Sequence, residues 1–249
     1  MTTPIRIGMP VRIGMIDTGV NAMHPHVGNI AGGVTIGSEG EMPGYEDQLG
    51  HGTAIAALLH QQAPQAQLIA VKVFDRTLAT NRDTVIRAID WCLQNEIDII
   101  NLSLGTANPA HRIQFEDAVR RIRTLGKAIV SAHDVNGALA LPGCLPGVIA
   151  VVPDTTCTDV IRVLKPGEPS ESAKRAELSA SKSEKIIFSA TPYPREIPGV
   201  PREHNLHGVS FAVAHVTAAL ARLWPAVHVS QDWESTLANA LLSLQSVEA

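Results

Sequence analysis

Leu206-His207-Gly208-Val209-Ser210-Phe211-Ala212-Val213-Ala214-His215-Val216 is a polar, glycine-containing turn that runs straight into an apolar segment ending near Trp224. After Ser210 the residues are Ala, Val, Leu and Phe almost without break. A helix that is apolar all round is a buried helix, so this stretch predicts the central helix of a large core. A serine in the first turn of such a helix sits in the field of its N-terminus, where developing negative charge is favoured. Gly208 lets another group approach the backbone closely there. Taken alone, the pattern is also that of a serine that caps a core helix.

Downstream, Gln231 to Leu244 has the spacing of an amphipathic helix packed on the outside. Upstream, 192–201 is irregular, with prolines at 192, 194, 198 and 201. Lys185 to Ala190 reads as a strand, and the polar 165–184 as an exposed loop or loose hairpin. Further back, short apolar runs alternate with helical spacing. Arg12–Asp17, Gln67–Phe74, Asp98–Leu104, Lys127–Ala132 and Val148–Val152 read as strands. Ala54–His60, Asn81–Gln94 (with Asn81 as cap) and His111–Leu125 read as helices, and Arg120, Arg121 and Arg123 as a solvated face. The Gly-rich stretch to Gly44 is a loop with a short strand at Ile30 to Ile36. Strands that are apolar throughout and alternate with helices indicate a parallel sheet covered on both faces, an α/β fold.

The chain has 249 residues, 45% of them hydrophobic, enough for one large core and a single domain over 1–249. The net charge is −4 with no basic block, which argues against nucleic acid or an anionic membrane as partner. Three cysteines at unpatterned spacing suit reduced thiols in the cytoplasm better than a disulfide framework. The N-terminus lacks the charged start and apolar run of a signal peptide.

Two more residues stand at informative stations. Asp17 ends the first strand in an Asp-Thr-Gly turn, where a carboxylate is costly unless paired; a turn or cap aspartate is the alternative. His51 opens a helix between Gly50 and Gly52, which leave its ring room; a surface or capping histidine is the alternative. Together Asp17, His51 and Ser210 are the inventory for nucleophilic acyl transfer. A serine hydroxyl needs a neutral imidazole to take its proton, and the imidazole needs a carboxylate to fix its tautomer and stabilise its cation.

The order Asp, His, Ser, with the motifs around it, resembles the subtilisin-like serine proteases, or subtilases. Ile16-Asp17-Thr18-Gly19-Val20 with His24-Pro25 resembles the family's aspartate motif, and Gly50-His51-Gly52-Thr53 its histidine motif. Ile100-Asn101-Leu102-Ser103-Leu104-Gly105 resembles its substrate-binding strand, and Pro146 to Val151 a core strand. Gly208-Val209-Ser210-Phe211-Ala212 with His215-Val216 resembles the serine motif. The likeness spans residues 10 to 225. It implies a three-layer fold with a mostly parallel central sheet flanked by helices, and peptide-bond hydrolysis. Ser210 would be the nucleophile, His51 the general base and Asp17 the orienting carboxylate. Ser103, Leu104 and Gly105 would pair with the main chain of a peptide or protein substrate, such as a biosynthetic precursor peptide.

Several positions depart from the family. Ala54 replaces a common histidine, and Val213-Ala214 replace a proline. Ala132-His133-Asp134 stands where an Ala-Gly-Asn oxyanion motif is expected, so Asp134 takes the oxyanion position, with Asn136 as the alternative donor. His133 replaces a glycine beside the primary specificity pocket and would narrow it. His60 to Pro64 leaves no room for the family's calcium loop, and no cofactor or metal is expected; the pairs His24/His26 and His204/His207 lack completing ligands. Two functions follow: a serine endopeptidase without prodomain, or a catalytically impaired subtilase serving as a peptide-binding or scaffold subunit.

Overall fold

The computed structural model describes residues 9–157, 161–164, 185–195, 199–201, 204–227 and 233–245. In chain order its elements are β1 (Arg12–Asp17), β2 (Ile30–Gly37), β3 (Gly40–Met42), α1 (His51–Gln62), β4 (Gln67–Lys72), α2 (Arg82–Gln94) and β5 (Ile99–Leu102). There follow α3 (Arg112–Thr124), β6 (Ala128–Ala132), β7 (Asp134–Val135), β8 (Ala138–Leu139), β9 (Ile149–Pro153), β10 (Arg162–Leu164), β11 (Ile187–Ala190), α4 (Val209–Val227) and α5 (Trp233–Gln245).

A nine-stranded sheet runs β10-β11-β9-β6-β5-β1-β4-β2-β3. Every neighbouring pair is parallel except the two at the edges, β10–β11 and β2–β3. The uninterrupted apolar runs have their cause here, because each central strand buries both faces. Along β1, Ile13 and Met15 point into one core with α1, α4 and α5. Ile16 points into the other, with Val85 and Ile89 of α2 and Phe115 and Ile122 of α3. The helices therefore form two layers on a central sheet, the three-layer arrangement expected.

Element starts follow local chemistry. The Asn81 side chain accepts the Thr84 N–H over 2.9 Å and opens α2 as a cap. Gly50, at φ 85°, ends the loop before α1 and lets the helix begin at His51, three residues ahead of the apolar run. β5 stops at Leu102, so Ser103 and Leu104 lie just past the strand. Of the expected solvated positions on α3, Arg120 and Arg123 are exposed, whereas Arg121 is half-buried and held by Asp90 and Asp117. The hairpins β2–β3 and β7–β8 were not legible as strand pairs. Cys92, Cys144 and Cys157 are free thiols. The expected loop at 165–184 lies outside the described residues.

What matters for chemistry is one edge of this sheet. The carboxyl ends of β1, β5 and β6 and the N-termini of α1 and α4 meet there. On either side of β1 the chain winds in opposite directions, the place where open α/β sheets form crevices.

Candidate active site

Asp17 is the last residue of β1 and is 2% exposed. Its Oδ1 accepts the Thr18 N–H over 2.7 Å and lies 2.7 Å from His51 Nδ1. An ionised carboxylate only accepts, so His51 Nδ1–H is the donor and Nε2 keeps its lone pair. Ser210 Oγ lies 2.8 Å from Nε2, and its hydroxyl donates to it. The sequence-predicted trio is thus one hydrogen-bonded line drawn from β1, α1 and α4.

Local sequence holds each member. A Cβ at position 52 would stand 2.1 Å from the Gly19 carbonyl oxygen, so only glycine lets the first turn of α1 press against the end of β1. The Gly52 N–H then donates to Thr18 Oγ1 over 2.8 Å. Asp47 anchors the same turn from outside. Its Oδ1 accepts the Leu49 and Gly50 N–H groups, and its Oδ2 accepts the Thr53 N–H and hydroxyl, all within 2.9 Å. Burial pushes the Asp47 carboxyl up, but these bonds outweigh it and hold its pKa below the ordinary value. Burial likewise works against the His51 cation. The hydrogen bond and charge of Asp17, with the charge of Asp47, overcome it and raise the His51 pKa.

Ser210 is 7% exposed and sits in the first turn of α4, where backbone N–H groups have no intrahelical acceptor. A Cβ on Gly208 would touch its Oγ at 3.4 Å, so glycine leaves that side open. The turn before it is tied down. Gly208 N–H donates to Pro192 O over 2.8 Å, and His215 Nε2–H donates to Tyr193 O over 2.8 Å. Gln62 Nε2 donates to His215 Nδ1, also at 2.8 Å, joining the end of α1 to α4. The His215 ring is buried structural wiring, which its motif position did not disclose.

Ser103, Leu104 and Gly105 follow β5 at the same sheet edge, with Gly105 exposed. Asn101, fully buried, donates from Nδ2 to Ser103 Oγ over 2.9 Å and accepts Thr217 Oγ1–H at Oδ1 over 2.9 Å. Thr106 pairs with Leu141 in an antiparallel bridge, and a Cβ on Gly105 would meet Ala140 Cβ at 3.2 Å, so these two segments lie close.

His133 follows β6. Burial, with the Lys185 charge, lowers its pKa to about 4, so the imidazole is neutral. Its Nδ1 is buried without a hydrogen-bond partner among the described residues. Asp134 is 7% exposed. Burial raises its pKa, opposed by a hydrogen bond from the Gly137 N–H. Asn136 is exposed at φ 53°, and with Gly137 at φ 82° it makes the tight turn between β7 and β8. Asn-Gly is the favoured pair for such a two-residue hairpin, so backbone geometry accounts for Asn136. Among the described residues no group of three or more His, Cys, Asp and Glu side chains could hold a metal ion.

Two cavities open on the described surface. One of about 550 Å³ borders Leu104, Gly105 and Phe115. The other, about 650 Å³, borders Gly50 and Leu206 on the side of α1.

A sequence model of the subtilase family matches residues 8–244. Subtilisin E of Bacillus subtilis (strain 168) is 28% identical over 258 residues, covering 92% of this chain and 61% of the relative. An intracellular serine protease of Paenibacillus polymyxa is 26% identical, covering 92% of this chain and 71% of the relative. The chain thus spans about 61% of the length of the subtilisin E relative. Among solved structures, a cold-adapted subtilisin-like serine proteinase aligns with TM-score 0.67 at 20% identity, covering 94% of this chain and 82% of that one. The prenylagaramide maturation protease PagA aligns with TM-score 0.64 at 21% identity, with the same coverages of 94% and 82%. A lanthipeptide protease aligns with TM-score 0.62 at 15% identity, covering 92% and 78%. These likenesses show the fold.

Proposed function

The chain belongs to the subtilase family, and on that premise we propose that it is a serine endopeptidase that cuts peptide or protein substrates through an acyl-enzyme. The observation that carries the reading is the Asp17–His51–Ser210 line of hydrogen bonds at 2.7 and 2.8 Å. Ser210 Oγ attacks the scissile carbonyl carbon as its proton passes to His51 Nε2, and Asp17 stabilises the imidazolium. The oxyanion is met by the Ser210 N–H and by Asp134 in its protonated form, which a raised pKa favours. His51 returns the proton to the departing amine as the C–N bond breaks. Water, activated by the same ring, then hydrolyses the ester.

Ser103 to Gly105 pair with the acyl-side backbone by strand addition, and His133 narrows the adjacent specificity pocket. The substrate class is a precursor peptide, a reading supported by the prenylagaramide maturation and lanthipeptide proteases that share the fold. The cytoplasm is its site of action, a reading supported by the intracellular relative. α4 is long and apolar enough to cross a membrane, but it is 72% buried as the core helix.

One observation favours a second reading, that of an impaired peptide-binding subunit: a carboxyl stands where an amide donor is expected. A single panel decides. Ser210→Ala is expected to remove most of a roughly 10⁶-fold acceleration and to abolish fluorophosphonate labelling while keeping the fold. Asp134→Asn should hold or raise the neutral-pH rate, and Asp134→Ala should lower it by about 10²–10³. Turnover in Ser210→Ala within tenfold of the parent rejects the nucleophile. A collapse confined to Asn136→Ala moves the oxyanion donor to that residue.

A further inference from the structure

We propose that Lys185 is a positioning residue for the primary specificity pocket. It clamps the turn at Gly143 behind His133 and fixes that ring across the pocket, which restricts the residue before the scissile bond to Gly, Ala or Ser. The inference rests on the endopeptidase reading above and adds which side chain the pocket accepts and what sets that choice.

The walls of the pocket leave the sheet side by side. Leu102 of β5 pairs with Ser131 of β6, so Ser103 and Leu104 run on next to Ala132 and His133. α4 packs on both strands. Its Thr217 bonds to Asn101 of β5 over 2.9 Å. Ser210, seven residues earlier, lies on the same side of the helix, ~10 Å further along the axis at a rise of ~1.5 Å per residue. Between the walls the floor is Ala140. A Cβ on Gly105 would meet the Ala140 Cβ at 3.2 Å, and the Ala140 N–H donates to His133 O over 2.9 Å. Ala140 is 1% exposed and Leu141 4%, so no open depth reaches this floor.

The His133 backbone is fixed, because its N–H donates to Val151 O over 2.8 Å. Its ring hangs on one bond, an N–H given to Gly143 O. Nδ1 has no partner among the described residues, so the donor is Nε2, the single N–H of a neutral imidazole. Lys185 holds that acceptor in place. Its Nζ donates to Gly143 O over 2.8 Å and to Leu145 O as well, tying the turn to the start of β11. Hydrogen bonds from an ammonium are roughly twice as strong as neutral ones. The turn is also pressed on the end of β6, since a Cβ at Gly143 would stand 1.7 Å from Ala132 O. A shift of the turn is therefore felt at the residue next to Ala132, His133 itself.

Lys185 and the ring thus meet on one carbonyl oxygen, whose two lone pairs serve both. Lys185 acts through the ring rather than on substrate. With the turn held, the space between the walls takes a hydrogen, a methyl or a hydroxymethyl group. With the turn released, the imidazole can rotate about its side-chain bonds and open the floor at Ala140 to a large side chain.

The test starts by digesting a random peptide mixture with the intact protein and sequencing the cut ends. The best-cut peptide is then varied only at the residue before the cut. Ala there should give kcat/KM at least about tenfold above Phe or Leu. His133→Gly should abolish or reverse that preference, and Lys185→Met should bring the ratio toward one. Lys185→Gln serves instead should the methionine variant not fold. In a His133→Gly background, Lys185→Met should change the ratio no further, because its route through the ring is gone. Removing the Lys185 charge should also move the His133 titration, followed by NMR, up from about 4. A parent that cuts as well after Phe as after Ala overturns the inference and leaves the endopeptidase reading standing. So does a ratio that Lys185→Met leaves untouched, even with a lowered Tm, or one that it changes equally without the ring. If the mixture stays uncut, the endopeptidase reading fails, and a shifted His133 titration still sustains the clamp. An unshifted titration overturns the clamp in either case.

Discussion

The imidazole of His51 is pulled two ways. Burial disfavours its cation, whereas Asp17 in contact and Asp47 behind it favour the cation and win. On the mechanism proposed above, only the neutral ring takes the Ser210 proton, so activity should fall as pH drops through a pKa above the ordinary histidine value near ~6.5. The acid limb of kcat/KM should therefore sit above that value. Asp47→Asn should move it to lower pH, as pH–rate profiles of the two proteins would register; coincident limbs would remove Asp47 from the account. The same linkage stabilises the fold. Its contribution is fully present below the unfolded-state pKa and is lost as pH rises through the raised folded one. Asp17, His51 and Ser210 were legible because each sits at a glycine-marked junction between a turn and an element. Asp47 was not, because its role appears only when its loop folds back over the start of α1. The one local hint was an aspartate shortly before a helix start, as in caps.

At the scale of elements, Asn101 joins β5 to α4 and steadies Ser103 just past the strand. Asn101→Leu removes the acceptor of the Thr217 hydroxyl and the donor to Ser103. Thr217 keeps its bond to Val213 O at 2.9 Å, so the loss should be about 1–3 kcal/mol, a Tm drop of roughly 2–4 °C for each kcal/mol. If the segment at Ser103 binds substrate backbone as proposed, KM for peptides should rise by more than kcat falls. Calorimetry with steady-state kinetics checks both, and Thr217→Val, which spares the Ser103 bond, should leave KM near the parent value. Parallel strands were readable as long apolar runs because both their faces are buried. β7 and β8, two residues each, are too short to carry a period, and the Asn136-Gly137 turn was the only available sign of them. That turn gives Asn136, the alternative oxyanion donor expected from sequence, a backbone role as the pivot of a hairpin.

For the whole molecule, stability rests on two apolar cores, one on each face of the sheet. α1 closes at Gln62 and β4 opens at Gln67, with Ala63 N–H donating to Leu59 O and Ala66 N–H to Ala63 O between them. The link is a tight turn with no inserted loop, as its length in the sequence indicated. EDTA is therefore expected to leave both Tm and turnover unchanged. A fall of several degrees on chelation would reveal a bound ion, since a ligand of the native state stabilises by mass action.

α4 bears Ser210 at one end and is buried from Ser210 to Ala221, the helix packing against β5, β6, β9, β11, α1 and α5. The Ser210 hydroxyl is thus not on a strap that can loosen while the rest stands. Exposing it to wholesale motion means withdrawing the peg around which one entire core is assembled. Heat then has no gentle way to blunt the site: each molecule is either competent or lost as a whole. On the endopeptidase reading proposed above, intact molecules offer their neighbours no slackened segment at Ser210 to cut.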